Sequence, residues 1–299
     1  MVWPVSPRPS ETVFTALKYS DHFDYPLSLH ELWFWQPFTR FSPRLFSSWP
    51  YRKSEYYFLK NRSSIVGIRQ SRTVSSQKKL LKAGMVSRIL KIIPSVQAIF
   101  ITGSLAMQNC PPDDDIDILL IVSPHTLWIT RVLIVAILKA LKWRRPPYLN
   151  FHSSPVVRDK ICDNLYLDLN HLHIPHLPIN QLLINQSANF YLAHEILQAK
   201  CIFDRGGIHH QFLTVNSWTA KYLPIAYREI LKQIPQQTNG YKIKAKSIDF
   251  LLIVANFLLF TLQYLYMRPH LSSEKIALGY AFFHPNNSMI LLPGHGKKN

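Results

Sequence analysis

Cysteines and acids are scarce in this chain. Cys110, Cys162 and Cys201 are the three cysteines in 299 residues. Their number is odd and none stands in C-x-x-C spacing, which argues against a disulfide framework or a zinc site and favours a reducing compartment. Asp and Glu number 17 against 34 Lys and Arg, a net charge of +17. No acid occurs between Glu55 and Asp113, where Lys60, Arg62, Arg69, Arg72, Lys78, Lys79, Lys82, Arg88 and Lys91 accumulate. This balance favours polyanionic partners such as nucleic acid or nucleotides; a solvated basic surface is the alternative. Internal repeats and low-complexity tracts are absent. The opening M-V-W-P-V-S-P-R-P-S-E carries no apolar core of a signal peptide, so a cytoplasmic location is expected.

Apolar residues, at 47%, are ample for a core. One run, Phe250 to Met267, reaches the length of a marginal membrane span. Asn256, Thr261 and Gln263 interrupt it and basic residues lie on both sides, so a buried core helix is expected, with membrane association through 250–267 as the weaker alternative.

Along the chain, residues 10–19 read as a short amphipathic helix capped by Ser10. Tyr25-Pro26-Leu27 is extended, and Ser28 with Glu31 forms a capping box opening a second helix at Leu29. Residues 38–52, which include Pro43 and Pro50, leave room for a third helix only if it is short or broken. Tyr56 to Arg69 carries two apolar runs around K-N-R-S-S, a hairpin signal. Helix, helix, uncertain helix, hairpin is the order of a winged helix, used either to bind DNA or only for packing. Residues 76–92 read as a basic helix with Leu80, Leu81, Met85, Ile89 and Leu90 on one side. Strands are expected over 95–102, from Asp115 to Val122 and over 164–169, with an apolar helix of about 15 residues after the second. Arg131 lies near the start of that helix, where the dipole disfavours a cation, so a local anion or an exposed position is expected. His171, His173 and His176 do not complete a familiar zinc pattern. The remainder is read as helical: 186–200, about 216–234, 244–268 and a last helix capped by Ser272 or Ser273.

The chemistry concentrates in I-T-G-S-L-A-M-Q-N-C-P-P-D-D-D-I-D-I-L-L-I-V. Asp115 and Asp117 stand at i and i+2 of a strand and so share a face. Paired carboxylates repel and resist burial, so a cation is expected between them, most simply Mg²⁺ with oxygen ligands. Gly103 permits a tight turn and close backbone approach, and Ser104 adds a hydroxyl beside free N–H groups. A phosphate chain lying across Gly103-Ser104 would meet metal held by the acids. Asp168, by strand phase, is the candidate third carboxylate.

These stretches resemble the nucleotidyltransferase fold of the DNA polymerase beta superfamily. The likeness is closer to bacterial and archaeal nucleotidyltransferase domain-containing proteins, through F-D-Y-P-L-S-L-H-E-L, I-T-G-S-L-A-M-Q-N, D-D-I-D-I-L-L-I-V, L-W-I-T-R, A-H-E-I-L-Q and A-F-F-H-P, covering roughly residues 11–285. The resemblance implies NTP binding with Mg²⁺ and nucleotidyl transfer. Gly103 and Ser104 would bind the triphosphate, Asp115 and Asp117 the metal, and Asp168 would complete the catalytic acids. The expected architecture is α+β: a winged-helix-like module (1–74), a nucleotidyltransferase domain with a mixed sheet (75–180) and a C-terminal helical region (181–299). The expected function is an Mg²⁺-dependent nucleotidyltransferase with an unidentified acceptor. The alternative is a non-catalytic nucleic-acid-binding protein with a degenerate transferase domain.

Overall fold

The computed structural model describes residues 9–37, 49, 51–146, 156–175, 182–235, 250–271 and 274–283. The chain begins with α1 (Pro9–His22), β1 (Leu27–Ser28) and α2 (Leu29–Phe34), followed by the short strands β2 (Arg52–Lys53) and β3 (Tyr56–Tyr57). Next come α3 (Ile65–Leu90), β4 (Val96–Ile101), α4 (Gly103–Ala106), β5 (Ile116–Val122), α5 (Leu127–Ala140) and β6 (Ile161–Asp168). The rest is α6 (Leu182–Gln198), β7 (Lys200–Asp204), α7 (Ile208–Val215), a 3₁₀ turn (Ser217–Lys221), α8 (Pro224–Gln233), α9 (Phe250–Met267), β8 (Lys275–Ile276) and β9 (Tyr280–Phe282). The class is α+β with a mixed central sheet.

The first elements form a small sheet in the order β1-β3-β2. The capping box forms as expected: Ser28 Oγ accepts from the Glu31 N–H at 3.3 Å, while Glu31 accepts from the Ser28 N–H at 2.8 Å. Glu31 also takes two hydrogen bonds from Arg69, at 2.7 and 2.8 Å, and one from the Tyr25 hydroxyl at 2.7 Å. One carboxylate thus caps a helix and fastens α3 to this module. Ser10 does not cap α1, which already begins at Pro9. The third helix expected within 38–52 lies almost wholly outside the described residues.

The hairpin expected over 56–69 is a correction. The turn lies at Ser54-Glu55, between β2 and β3, and the chain enters α3 at Ile65, eleven residues before the expected start at 76. The face expected to be buried is also corrected: Leu81 and Met85 are exposed, and Ala83, Val86 and Leu90 point inward. Lys79 sets this phase. It is buried, bonded to the Asp114 carbonyl at 2.5 Å and to Asp159 at 2.8 Å, which holds its side of the helix against the sheet.

The central sheet runs β7-β4-β5-β6-β9-β8, with β5 and β6 parallel and the other neighbours antiparallel. Both faces of its middle are covered, which is why β4 and β5 read as near-continuous apolar runs. Ile99, Ile101, Ile118, Leu120 and Val122 face α3 and α5; Ala98, Phe100, Leu119 and Ile121 face α6, α7 and the 3₁₀ turn. Residues beyond 180 supply β7, β8 and β9, so the region expected to be mostly helical completes the sheet. The helix expected after Ser272 is instead the β8–β9 pair. Alternation over K-I-A-L-G-Y-A-F-F supports a strand as well as a helix, and the open edge of β6 decides between them. Gly279 allows a close approach there, since a Cβ at that position would fall 2.0 Å from His171 Nδ1. The boundaries expected at 74 and 180 accordingly fall inside α3 and ahead of three strands of the shared sheet.

Burial raises the Glu31 pKa, but the hydrogen bonds and charge of Arg69 outweigh it, and the carboxyl lies below its ordinary value. A lowered folded-state value gives stability that is present above the unfolded pKa and lost as pH falls through the folded one. Glu31→Gln should therefore cost about 2–4 kcal/mol at pH 7 in urea unfolding, as expected for a broken, largely buried pair. The gap from the parent protein should narrow as the pH drops below about 4.

Candidate active site

Gly103 follows the end of β4 and has φ +62°, a conformation that glycine tolerates and side-chain-bearing residues resist. A Cβ there would sit 3.0 Å from Asp117 Oδ2. Thr102 donates its N–H to the Asp117 carbonyl at 3.1 Å, so the glycine turn and the acidic strand are tied edge to edge. Gly103, Ser104, Asp114, Asp115 and Asp117 line one cavity of about 360 Å³, joined by Arg145, Asn164, Glu195, Gln198 and Phe282. The structure thus brings together four of the five expected site residues.

Asp168 is the exception, and its expected place as third acid is corrected. β6 runs parallel to β5 with Cys162 beside Asp117 and Asp168 beside Val122. Five residues along a strand separate the two acids by roughly 16 Å, whereas paired metals sit only about 4 Å apart. Asp168 also shares its face with Tyr166, away from the cavity. It accepts from the Asn170 N–H at 2.9 Å and meets His171 Nδ1 at 2.6 Å, which makes it a turn-forming residue.

A bulge in β6 explains what faces the acids instead. The register passes from Asp117–Cys162 to Leu119–Leu165, leaving one extra residue in β6. Asp163 turns to the other face, where Arg144 holds it at 2.7 Å and the Tyr166 hydroxyl donates to it at 3.0 Å. Asn164 is left on the cavity side and donates to Asp117 Oδ1 at 2.8 Å; its own Oδ1 is buried without a hydrogen-bond partner. Donor atoms of Asp115, Asp117 and Cys162 lie within 4.8 Å of one another. Arg145 is buried, and its Nη1 meets Asp115 Oδ2 at 2.6 Å.

The electrostatics are those of crowded acids. Burial, then the charges of Asp115 and Asp114, push Asp117 well above the usual carboxylate range. Burial and the Asp115 charge raise Asp114 to about 6, against a hydrogen bond at 3.3 Å from the Ser104 hydroxyl. Burial, then Asp117 and Asp115, raise the Cys162 thiol well above its ordinary value. Three acids converge with one buried arginine, and a divalent cation bound among them would favour their ionised forms. The donor set of carboxylates, an amide oxygen and a thiol fits such an ion. Elsewhere in the cavity lining, burial raises Glu195 to about 7, against a hydrogen bond from Gln198 at 2.8 Å.

Arg145, Cys162, Asn164 and Glu195 are site residues that sequence reasoning missed. The paired arginines before Pro146-Pro147 were a visible signal for Arg145. Nothing local marks the bulge that selects Asn164 over Asp163. Arg131, expected beside an anion or in solvent, bonds Gln263 at 2.6 Å and stacks 4.5 Å over the Phe283 ring. Compared with protein-family models, curated proteins and solved structures, the chain matches none.

Two measurements probe this geometry. Gly103→Ala should cost about 1–2 kcal/mol through the positive φ alone and should displace Asp117, seen as a lowered melting temperature and weaker divalent-ion binding. Asp114 has a raised folded-state pKa, so its contribution is full below the unfolded value near 4 and is lost as the pH rises through about 6. Asp114→Asn should therefore stabilise the metal-free protein at pH 7–8, by about 1–2 kcal/mol after allowance for its partial exposure, and should have little effect at pH 4.

Proposed function

We propose that the chain is a divalent-cation-dependent nucleotidyltransferase, in which an acceptor hydroxyl or phosphate attacks the α-phosphate of an NTP, takes the nucleoside monophosphate and releases pyrophosphate as the α–β bond breaks. The convergence of Gly103-Ser104 with Asp115 and Asp117 on one cavity carries this reading. Asp115 and Asp117 would hold the ion, Mg²⁺ in the simplest case, with Asn164 Oδ1 as the nearby uncommitted oxygen. Bound there, the ion supplies charge neutralisation for the phosphates. The protein's residues do the remainder. Gly103 lets the backbone approach a phosphate, and the Ser104 hydroxyl, now directed at Asp114, turns to donate to it. Glu195, with a pKa near neutrality, accepts the proton of the acceptor group in the cavity.

The order α1-β1-α2-β2-β3 and the sheet order β1-β3-β2 support a winged-helix-like module. A packing role suits it best. Arg62 pairs with Asp21 and Asp24, Arg69 with Glu31, and Arg72 with Asp24, so much of the basic run is committed within the fold. The free thiols Cys110, Cys162 and Cys201 keep this reading in a reducing, cytoplasmic setting. A second reading, nucleotide or nucleic-acid binding without transfer, is favoured by one observation: Cys162 and Asn164 stand where a third carboxylate would complete the acids.

Labelled NTPs offered with Mg²⁺ or Mn²⁺ and with RNA, protein or the chain itself as acceptor distinguish these readings. Transfer that falls about 100-fold or more in Asp117→Asn and Glu195→Gln, but stays within twofold of the parent in Asp168→Asn, is the expected result. Nucleotide binding without transfer selects the second reading, and absence of both rejects each.

A further inference from the structure

The helix expected to be buried, α9, lies on the surface. Only Asn256 and Met267 of its eighteen residues are buried. Phe250, Leu251, Phe257, Leu258, Leu262 and Leu265 are each more than half exposed. The three polar residues that interrupt the run leave this face dry. Asn256 Oδ1 accepts from the Trp128 N–H at 2.9 Å. Gln263 donates to the Trp128 carbonyl at 3.1 Å and accepts from Arg131 at 2.6 Å. Thr261 bonds back to the Phe257 carbonyl at 3.0 Å. The inner side of α9 is therefore fastened to α5, and its outer side presents only hydrocarbon and tyrosine. Contiguous exposed apolar faces of this kind mark interaction sites on soluble proteins.

We propose that α9 is a membrane-surface anchor, its outer face set into one leaflet of an anionic bilayer while its inner face stays docked on α5. The charge around it selects this occupant. In sequence, Lys242, Lys244 and Lys246 precede the helix against the single acid Asp249, and Arg268, His270 and Lys275 follow against the single acid Glu274. No acid lies between Asp117 and Asp159, and α5 and the turn after it expose Lys139 and Lys142. A second copy docked on this face would bring like charges together at both ends, whereas anionic headgroups would meet each of them. Tyr264 and Tyr266, near the end of the helix, suit the headgroup level, where aromatic hydroxyls stay wet. The hydrogen bonds of Asn256 and Gln263 to α5 favour lying on the membrane over crossing it, because crossing would pull both away from their partners.

The test is sedimentation of the full chain with vesicles of phosphatidylcholine alone and with phosphatidylserine added. The expected result is binding to the anionic vesicles that weakens as salt is raised, and at least tenfold loss of binding in Leu251→Glu/Leu258→Glu/Leu265→Glu. That variant should keep the parent's circular dichroism and nucleotide affinity, because the altered side chains point away from α5. A milder variant, Leu258→Ser/Leu262→Ser, should show an intermediate loss should the triple variant fail to fold. A chain that stays in the supernatant with both vesicles overturns the proposal. So does a dimer in light scattering that both variants dissociate, which would make the occupant a second copy.

Discussion

The crowding of three carboxylates at the start of β5 constrains everything around it. Asp114, Asp115 and Asp117 fall within four consecutive positions beside strands that are buried on both faces. Asp115 is buried and Asp114 and Asp117 are half-buried, so water screens them only in part and their mutual repulsion must be met by the fold. Arg145 answers Asp115, the Asn164 amide answers Asp117, and Ser104 answers Asp114. The loop that carries them is gripped from behind by the buried Lys79, through the Asp114 carbonyl. These residues come from α3, α4, the segment after α5 and the bulge in β6. Each element is thus placed by the need to hold one negative centre, and the cavity opens on the side where the compensation is incomplete.

That incompleteness gives the site its chemistry. A fully paired acid cluster would be inert, whereas this one retains charge, an uncommitted amide oxygen and a glycine turn without side-chain cover. Elsewhere in the cavity lining, Glu195 has few polar neighbours and is raised toward neutrality by burial rather than by another acid. Burial leads the shift in both carboxyl environments, but like charge adds to it only at Asp114 and Asp117, so a bound cation would relieve the cluster more directly than Glu195.

Much of this was legible in the sequence, and the failures have physical causes. Gly103, Ser104, Asp115 and Asp117 were found because turn chemistry and strand phase are local properties, carried by a few adjacent residues. Ser28 and Glu31 were legible for the same reason. Asp168 was misplaced because strand phase fixes a face but not a position along the strand, and the bulge at 163–164 reverses even the face for residues before it. The inward side of α3 was misjudged because a buried lysine and its partner at Asp159 outweigh a stripe of leucines. The β8–β9 pair was read as helix because the edge of β6 that recruits it lies more than 100 residues away. In α9, hydrophobicity was plain, but whether apolar residues face a core or the outside is a property of the assembled surface.

The strand order has a consequence for how the molecule is made. β9 lies beside β6, and Phe282 contributes to the cavity wall. The elements holding the acids are complete by residue 168, yet the wall they share with Phe282 forms only after more than a hundred further residues have been synthesised. Until then the edge of β6 stands open, and loop closure over that span must be met before the last strand contributes anything. A nascent chain extended past residue 168 but not yet to Phe282 therefore has a free strand edge beside its acidic cluster that invites pairing with a neighbour. The part of the cavity lining at Phe282 is added after the elements that carry the acids.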